Sequence, residues 1–118
     1  MSLNFSPGDD LVFQLESGFG LFRIIAVERD GNDAVWHVMV YDEFFPDVEA
    51  AEAALSGAAP LSVRAAHLAL TDNALGKTPA ARLGNRPVTE TELIGYREWT
   101  ARGGQVSDRS ILLQLGLR

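Results

Sequence analysis

The sequence predicts one α+β domain, residues 1–118, with an N-terminal antiparallel, curled β-sheet and two helices packed on it. Two observations predict this class: three apolar segments separated by turn residues occupy the first forty positions, and two later segments have helical spacing and helix-start residues. The length of 118 residues and the hydrophobic content of 47% suit one domain with its own core. The absence of cysteine excludes disulfides, thiol catalysis and thiolate metal sites.

The first half contains three segments that we interpret as strands. Residues 11–15 alternate, and residues 21–28 are rich in branched and aromatic side chains. Gly18-Phe19-Gly20 supplies turn residues, and Asp30-Gly31 is a hairpin signal before the third segment, 34–41. Neither face of residues 34–41 is polar. We therefore expect this strand to be covered on both sides, as in a tightly curled, SH3-like sheet.

Two segments carry helix signals. Pro46, followed by two acidic residues, starts a predicted helix over 46–56 that Gly57 ends. Thr89 and Glu92 form a capping box that predicts a helix over 90–102. The residues of this second helix that we expect to face the core are Leu93, Tyr96, Trp99 and Thr100.

Three other segments are less regular. Residues 61–71 alternate and favour a strand, although their alanines also allow a helix. Residues 72–87 contain two glycines and two prolines, and we interpret them as a loop. Residues 111–115 are apolar and predict a short helix or a closing strand, which Ser107 would cap.

Charge is divided unequally along the chain, whose formal net charge is −6. Residues 1–59 carry −9, and residues 60–118 carry +3. The two halves could attract each other within one fold, or the first half could present an acidic face that steers a basic partner. Such a face repels phosphate backbones, so we expect no nucleic-acid partner.

The sequence predicts a cytoplasmic protein without a membrane partner. No stretch approaches the roughly 18–20 apolar residues that a membrane span needs. Residues 1–7 lack the basic region and apolar core of a signal peptide.

Motifs for catalysis, metals and cofactors are missing. His37 and His67 are distant in sequence and lack the converging ligands of a zinc site, so we interpret both as core residues. Gly76-Lys77-Thr78 ends like a phosphate loop, but Thr71 stands where the first glycine is needed. The sequence therefore predicts no catalytic residue, no metal site, no cofactor and no enzymatic activity.

The segment from Tyr41 to Asp47 mixes three aromatic residues with three acids at the predicted junction of strand and helix. An exposed Phe44 or Phe45 would be an anchor with an acidic rim, whereas buried rings would pack the helix onto the sheet, which is the alternative we favour. The acids could also form a general acid–base pair, but helix-start and rim positions explain them better. The predicted partner-binding residues are Asp42, Glu43, Phe44, Asp47, Glu49 and Glu52.

Residues 5–45 show a resemblance to a known family. Phe5-Ser6-Pro7-Gly8-Asp9, then a strand, a glycine-rich turn and the segment 21–25, resembles the start of the immunity protein 26 family of bacterial polymorphic toxin systems. The strand that ends at Tyr41-Asp42 continues the similarity. The resemblance implies a small protein that binds and blocks a cognate toxin, and it supplies no catalytic residue.

Together these observations predict a non-enzymatic protein-interaction module of the immunity-inhibitor type, which binds a basic partner through its acidic residues. One alternative is a small-ligand-binding or enzymatic domain with a pocket between the sheet and residues 72–87, where His37 or His67 meets a carboxylate. Another is a homo-oligomeric structural module that associates through residues 111–115.

Overall fold

The computed structural model describes residues 4–117, apart from the side chain of Asp30. The strands are β1 (Asp9–Leu15), β2 (Gly18–Asp30), β3 (Asp33–Tyr41), β4 (Val63–Thr71) and β5 (Ala80–Asn85). The helices are α1 (Val48–Ser56), α2 (Asp72–Gly76), α3 (Ile94–Ala101) and α4 (Ile111–Leu115). The α+β class is confirmed. The strands form one open antiparallel sheet in the order β4-β3-β2-β1-β5, so both edge strands come from the second half of the chain and the sheet is not confined to the N-terminal half.

The predicted meander of the first half is confirmed, but the first turn is Glu16-Ser17, and Gly18-Phe19-Gly20, predicted as turn residues, belong to β2. Leu15 pairs with Gly18 across the first tight turn, and Asp30 pairs with Asp33 across the second, where Gly31 has a φ of 64°. Gly20 is required for packing, because a Cβ there would lie 2.6 Å from the ring of Phe13.

Both faces of the sheet are covered, as the apolar pattern of β3 predicts. The first face packs Phe13, Phe22 and Trp36 against the short helices α2 and α4, which contribute Leu75 and Ile111. The second face carries Val12, Leu21, Ile25, Met39 and Tyr41, and it packs against α1 through Ala51 and against Tyr96 of α3. Trp36 is fully buried. β3 therefore lies in the middle of three layers.

The interpretation of residues 72–87 as a loop is wrong. Thr71 caps α2, since its Oγ1 accepts a hydrogen bond from the backbone N of Ala74 at 3.0 Å. β5 then pairs with β1, with Asp9 opposite Asn85. The glycines and prolines conceal this strand because its pairing partner lies more than 70 residues earlier in the chain. The strand predicted over 61–71 is confirmed as β4.

The two longer helices form close to their predicted places. α1 begins at Val48, two residues later than the predicted start at Pro46. Asp47 is its N-cap, because its carboxylate accepts from the backbone N of Ala50 at 2.7 Å. The capping box forms: Thr89 N donates to Glu92 at 2.9 Å, and Glu92 N donates to Thr89 Oγ1 at 3.2 Å. A turn separates this box from α3, which begins only at Ile94, and Thr100 is exposed and does not face the core.

The C-terminal apolar segment is a helix. Ser110 caps α4 by accepting from Leu113 N at 3.2 Å, so the expected cap at Ser107 is wrong. Ser107 instead makes a parallel bridge to Leu70 on β4. Ile111 is buried in the core, so α4 closes the first face, whereas Leu113 of the same helix is 67% exposed. Self-association through residues 111–115 stays a prediction.

The second face buries a guanidinium. Arg23 of β2 is 1% exposed and forms ion pairs with Asp10 at 3.3 Å and Glu92 at 2.7 Å. It also donates to three backbone carbonyls, those of Gly8 (2.7 Å), Arg86 (3.0 Å) and Pro87 (3.1 Å). One side chain thereby joins β1, β2, the segment after β5 and the turn before α3.

A second arginine completes this network. Arg86 binds both carboxylate oxygens of Asp10, at 2.7 and 3.0 Å, and donates to the Tyr41 hydroxyl at 3.2 Å. The hydrogen bond with Asp10 raises the pKa of Arg86, and burial raises the pKa of Tyr41. Gly8 has a φ of 95°, and a Cβ there would collide with the Arg86 carbonyl oxygen. This network of Asp10, Arg23, Arg86 and Glu92 is called the arginine network below.

We expect Arg23→Met to lower the free energy of unfolding by about 3–5 kcal/mol, because it leaves buried carboxylate and carbonyl groups without their donor. Arg64→Met is a matched control. Arg64 meets Asp42 at 3.3 Å, the distance that separates Arg23 from Asp10, but the Arg64 pair is exposed and should contribute about 0–1 kcal/mol. Urea denaturation of both variants measures the difference. Equal losses of unfolding free energy would show that burial does not increase the contribution of these ion pairs to stability.

Candidate functional site

The six predicted contact residues lie between the end of β3 and the body of α1. We call Asp42, Glu43, Phe44, Asp47, Glu49 and Glu52 the acidic strip. All six are exposed, and Phe44 keeps 47% of its surface accessible. The favoured burial of both phenylalanines is therefore wrong for Phe44, whereas Phe45 is half-buried and bridges to Phe19 of β2. The bridge holds Phe45 against the sheet, and the preceding ring is left in solvent.

The acids of the strip have different local partners. Asp42 meets Arg64 at 3.3 Å, and Glu43 accepts from Ser62 N at 3.5 Å. Asp47 caps α1. Glu49 and Glu52 lie three positions apart on α1 and are therefore neighbours on its surface. Within residues 4–117, ion pairs are found for Asp42 but not for the other four acids of the strip.

The arginines of the second half neutralise other acids of the first half. Arg82 pairs with Asp9, and Arg86 pairs with Asp10. Both aspartates are buried, so this attraction operates within the fold, as one of the two interpretations of the charge division predicts. The strip lies outside these pairs except at Asp42, so it retains most of its negative charge toward solvent.

A second polar cluster, which the sequence did not reveal, lies on the second face of the sheet. His37 Nε2 is 2.6 Å from a carboxylate oxygen of Glu28, and His37 Nδ1 is 2.8 Å from His67 Nε2. The three residues come from β3, β2 and β4 respectively. We call this row the imidazole relay.

Hydrogen bonding assigns the tautomers of the imidazole relay. A carboxylate accepts, so His37 carries its proton on Nε2, and its Nδ1 must accept from His67. His67 then carries its proton on Nε2, and its Nδ1 holds a lone pair. Both nitrogens of the fully buried His37 are thus occupied, and Nδ1 of His67 is the nitrogen left available as a base or ligand.

Aromatic side chains of α3 enclose the relay. The ring centroids of Tyr96 and Trp99 lie 4.4 and 4.7 Å from that of His37, and the two imidazole rings are nearly parallel, with their centroids 5.1 Å apart. Burial lowers the pKa of His37. Burial, with the charges of His37 and Arg102, lowers the pKa of His67 to about 4. The pair is therefore neutral at pH 7, and its main effect is to hold α3 on the sheet.

The hairpin signal at Asp30-Gly31 in the sequence could have predicted two members of this cluster. The hairpin sets Glu28 opposite Val35, which makes His37 its diagonal neighbour on the same face. His67 could not be placed, because the pairing of β4 with β3 joins segments about thirty residues apart and includes register shifts.

The expected pocket between the sheet and residues 72–87 does not contain the relay, which lies under α3 instead. In the described part of the chain, no group of three or more histidine, aspartate or glutamate side chains is placed to hold a metal ion. Between residues 4 and 117, every helix is too short or too polar to cross a membrane.

Comparison with known proteins leaves the family open. No protein-family model matches this chain, and no curated protein and no solved structure matches it. The resemblance to the immunity protein 26 family stays a prediction.

The imidazole relay makes stability depend on pH. Because both folded-state pKa values lie below the ordinary 6.5, the unfolded chain binds more protons in acid. The contribution of the neutral pair is complete above pH 6.5 and is lost progressively toward pH 4. The shift of His67 alone corresponds to about 3 kcal/mol, and its partial exposure reduces this to about 1–2 kcal/mol.

His67→Gln tests this pH dependence, because the amide can still donate to His37 but does not titrate. We expect wild type to lose about 1–2 kcal/mol more than this variant between pH 7 and pH 4.5. Urea denaturation at each pH measures the difference, and parallel stability curves would contradict a neutral imidazole pair.

Proposed function

We propose that this protein is a non-enzymatic interaction module that binds a basic surface of a partner protein through the acidic strip. The observation that carries the proposal is the exposure of Phe44, 47% accessible, among acids that are mostly free of ion pairs within the described residues. A large exposed ring with a charged rim is the composition that interface hot spots favour.

Charge and rigidity support the same surface. The acids raise the rate of encounter with a basic partner, and the ring supplies the apolar area that slows dissociation. Phe45, bridged to Phe19, and Asp47, which caps α1, fix the backbone in the middle of the strip. A preorganised strip loses little conformational entropy on binding.

A cognate toxin is the partner class that we propose first. The resemblance of residues 5–45 to the immunity protein 26 family, including its SH3-like start, and a cytoplasmic location are part of this proposal. An inhibitor of this kind needs a surface that covers an enzyme and needs no catalytic group of its own.

The contact between Glu28 and His37 favours a second candidate, a small-ligand or catalytic site at the outer nitrogen of His67. Against it, His37 is fully buried with both nitrogens occupied, and the low pKa of His67, about 4, makes it a weak base at neutral pH. The geometry supports a structural role for the imidazole relay better than a catalytic one.

The first test reverses charge at Asp42, Glu43 and Glu49 by substitution with lysine. With the product of an adjacent toxin-like reading frame as partner, we expect association to slow by about tenfold or more at low salt and its salt dependence to flatten. Stopped-flow binding at several salt concentrations measures both effects.

The matched control reverses three acids outside the strip, Glu16, Asp33 and Glu90, which changes the net charge equally. The salt dependence of its association rate should stay closer to that of the wild type than the salt dependence of the strip variant does. If both triple variants slow association to the same extent, general charge and not the strip governs encounter, and the proposed surface is wrong.

A second test removes the anchor. Phe44→Ala should speed dissociation and weaken binding by about 2 kcal/mol, roughly thirtyfold, with little change in the association rate. Because Phe44 is exposed, the free energy of unfolding should stay within about 0.5 kcal/mol of wild type. An unchanged dissociation rate would exclude Phe44 from the interface.

A further inference from the structure

An apolar groove lies on the second face of the sheet, between the start of α3 and the neighbouring part of β4. Its volume is about 510 Å³, which falls within the range of small-ligand sites. The lining residues are Met39, Val63, Ala66, Thr91, Glu92, Ile94, Gly95 and Glu98. None of them belongs to the acidic strip.

The walls of the groove contain large apolar side chains that are exposed to solvent. Ile94 is 52% exposed and Val63 is 46% exposed, and both are among the large apolar side chains that the fold leaves in water. Gly95 brings α3 close to β4, because a Cβ there would lie 2.8 Å from Cβ of His67. The helix and the strand therefore meet at Gly95 and leave the groove open beside it.

Charge at the groove is negative. Glu92 and Glu98 line it, and none of the basic side chains between residues 4 and 117 does. Burial alone would raise the pKa of Glu92, but the hydrogen bonds from Thr89 and Arg23 outweigh burial and hold the pKa below its usual value. Glu92 is already committed to Arg23, whereas no ion pair is found for Glu98 among residues 4–117. The groove therefore offers one free carboxylate beside an apolar wall.

The turn before α3 uses its own backbone donors. The backbone N of Glu92 donates to Thr89 Oγ1, and the N–H groups of Leu93 and Ile94 donate to carbonyls of the preceding turn. These three N–H groups are therefore not available to a phosphate or carboxylate.

We propose that this groove binds a small organic cation, an ammonium group on a short apolar chain, with the chain against Val63 and Ile94 and the charge beside Glu98. The single free carboxylate matches one positive charge, and the apolar walls match the hydrocarbon. Fatty acids and phosphates are disfavoured by the negative charge of Glu98. This site is independent of the acidic strip and of the proposed partner.

The test is a titration of the isotopically labelled protein with hexylammonium, followed by amide chemical shifts. We expect saturable shifts at Ala66, Ile94 and Gly95 with a dissociation constant of about millimolar. Hexanoate and hexanol carry the same chain without the positive charge and should bind several-fold more weakly. Hexanol binding as tight as hexylammonium, or no shifts in the groove, would overturn the proposal.

Two variants and one control locate the site. Glu98→Gln should weaken hexylammonium binding by about three- to fivefold and leave hexanol binding unchanged. Ile94→Ser should weaken both compounds by about fivefold. Glu90→Gln is the control, since Glu90 is exposed at the turn before α3 but does not line the groove. Equal effects of Glu90→Gln and Glu98→Gln would overturn the assignment of charge recognition to Glu98.

A final experiment distinguishes whether the groove binds a small cation or a segment of a partner protein. A blocked Lys-Leu dipeptide carries the same two chemical groups on a peptide backbone. Tighter binding of hexylammonium than of this dipeptide supports the small-molecule site. Binding of the dipeptide alone would overturn it and assign the groove to a protein partner.

Discussion

The ion pairs of Arg23 are the interaction on which the other features of this structure depend. A guanidinium that is 1% exposed must have all its donors satisfied, and Asp10, Glu92 and three carbonyls satisfy them from three separate segments. The same contacts set the position of α3, because Glu92 belongs to the turn that leads into this helix. α3 covers the imidazole relay and forms one wall of the apolar groove. By positioning α3, the arginine network therefore determines the geometry of both.

The two kinds of charge in this chain have separate roles because they differ in burial. Asp9 and Asp10, which meet Arg82 and Arg86, lie inside the fold, where an unpaired charge would be costly. The acids of the strip lie in water, where an unpaired charge costs little, although Asp42 meets Arg64. This division reconciles the two interpretations of the charge asymmetry. Attraction between the halves operates in the buried network, and a negative surface persists next to Phe44.

Particular residues show how far the local structure around the strip follows from the sequence. The helix start within the strip was predictable to within two residues, since a proline followed by closely spaced acids is a local signal. The exposure of Phe44 was not, because it depends on the bridge that Phe45 makes to Phe19, a residue of another strand. The imidazole relay was predictable only as far as Glu28 and His37, whose spacing follows from one hairpin turn. Its third member, His67, depends on a strand pairing with register shifts.

The sequence by itself determined the features that arise from contacts within a few residues: the two hairpins of β1 to β3, the capping box at Thr89, the helix that follows Pro46 and the strand β4 as a segment. Tertiary structure alone decided that residues 80–85 form an edge strand, that two arginines share Asp10, and that two distant histidines meet under α3. The physical reason is the range of the interactions. Turn and cap hydrogen bonds close locally, whereas sheet edges, buried ion pairs and grooves exist only when segments far apart in the chain are brought together.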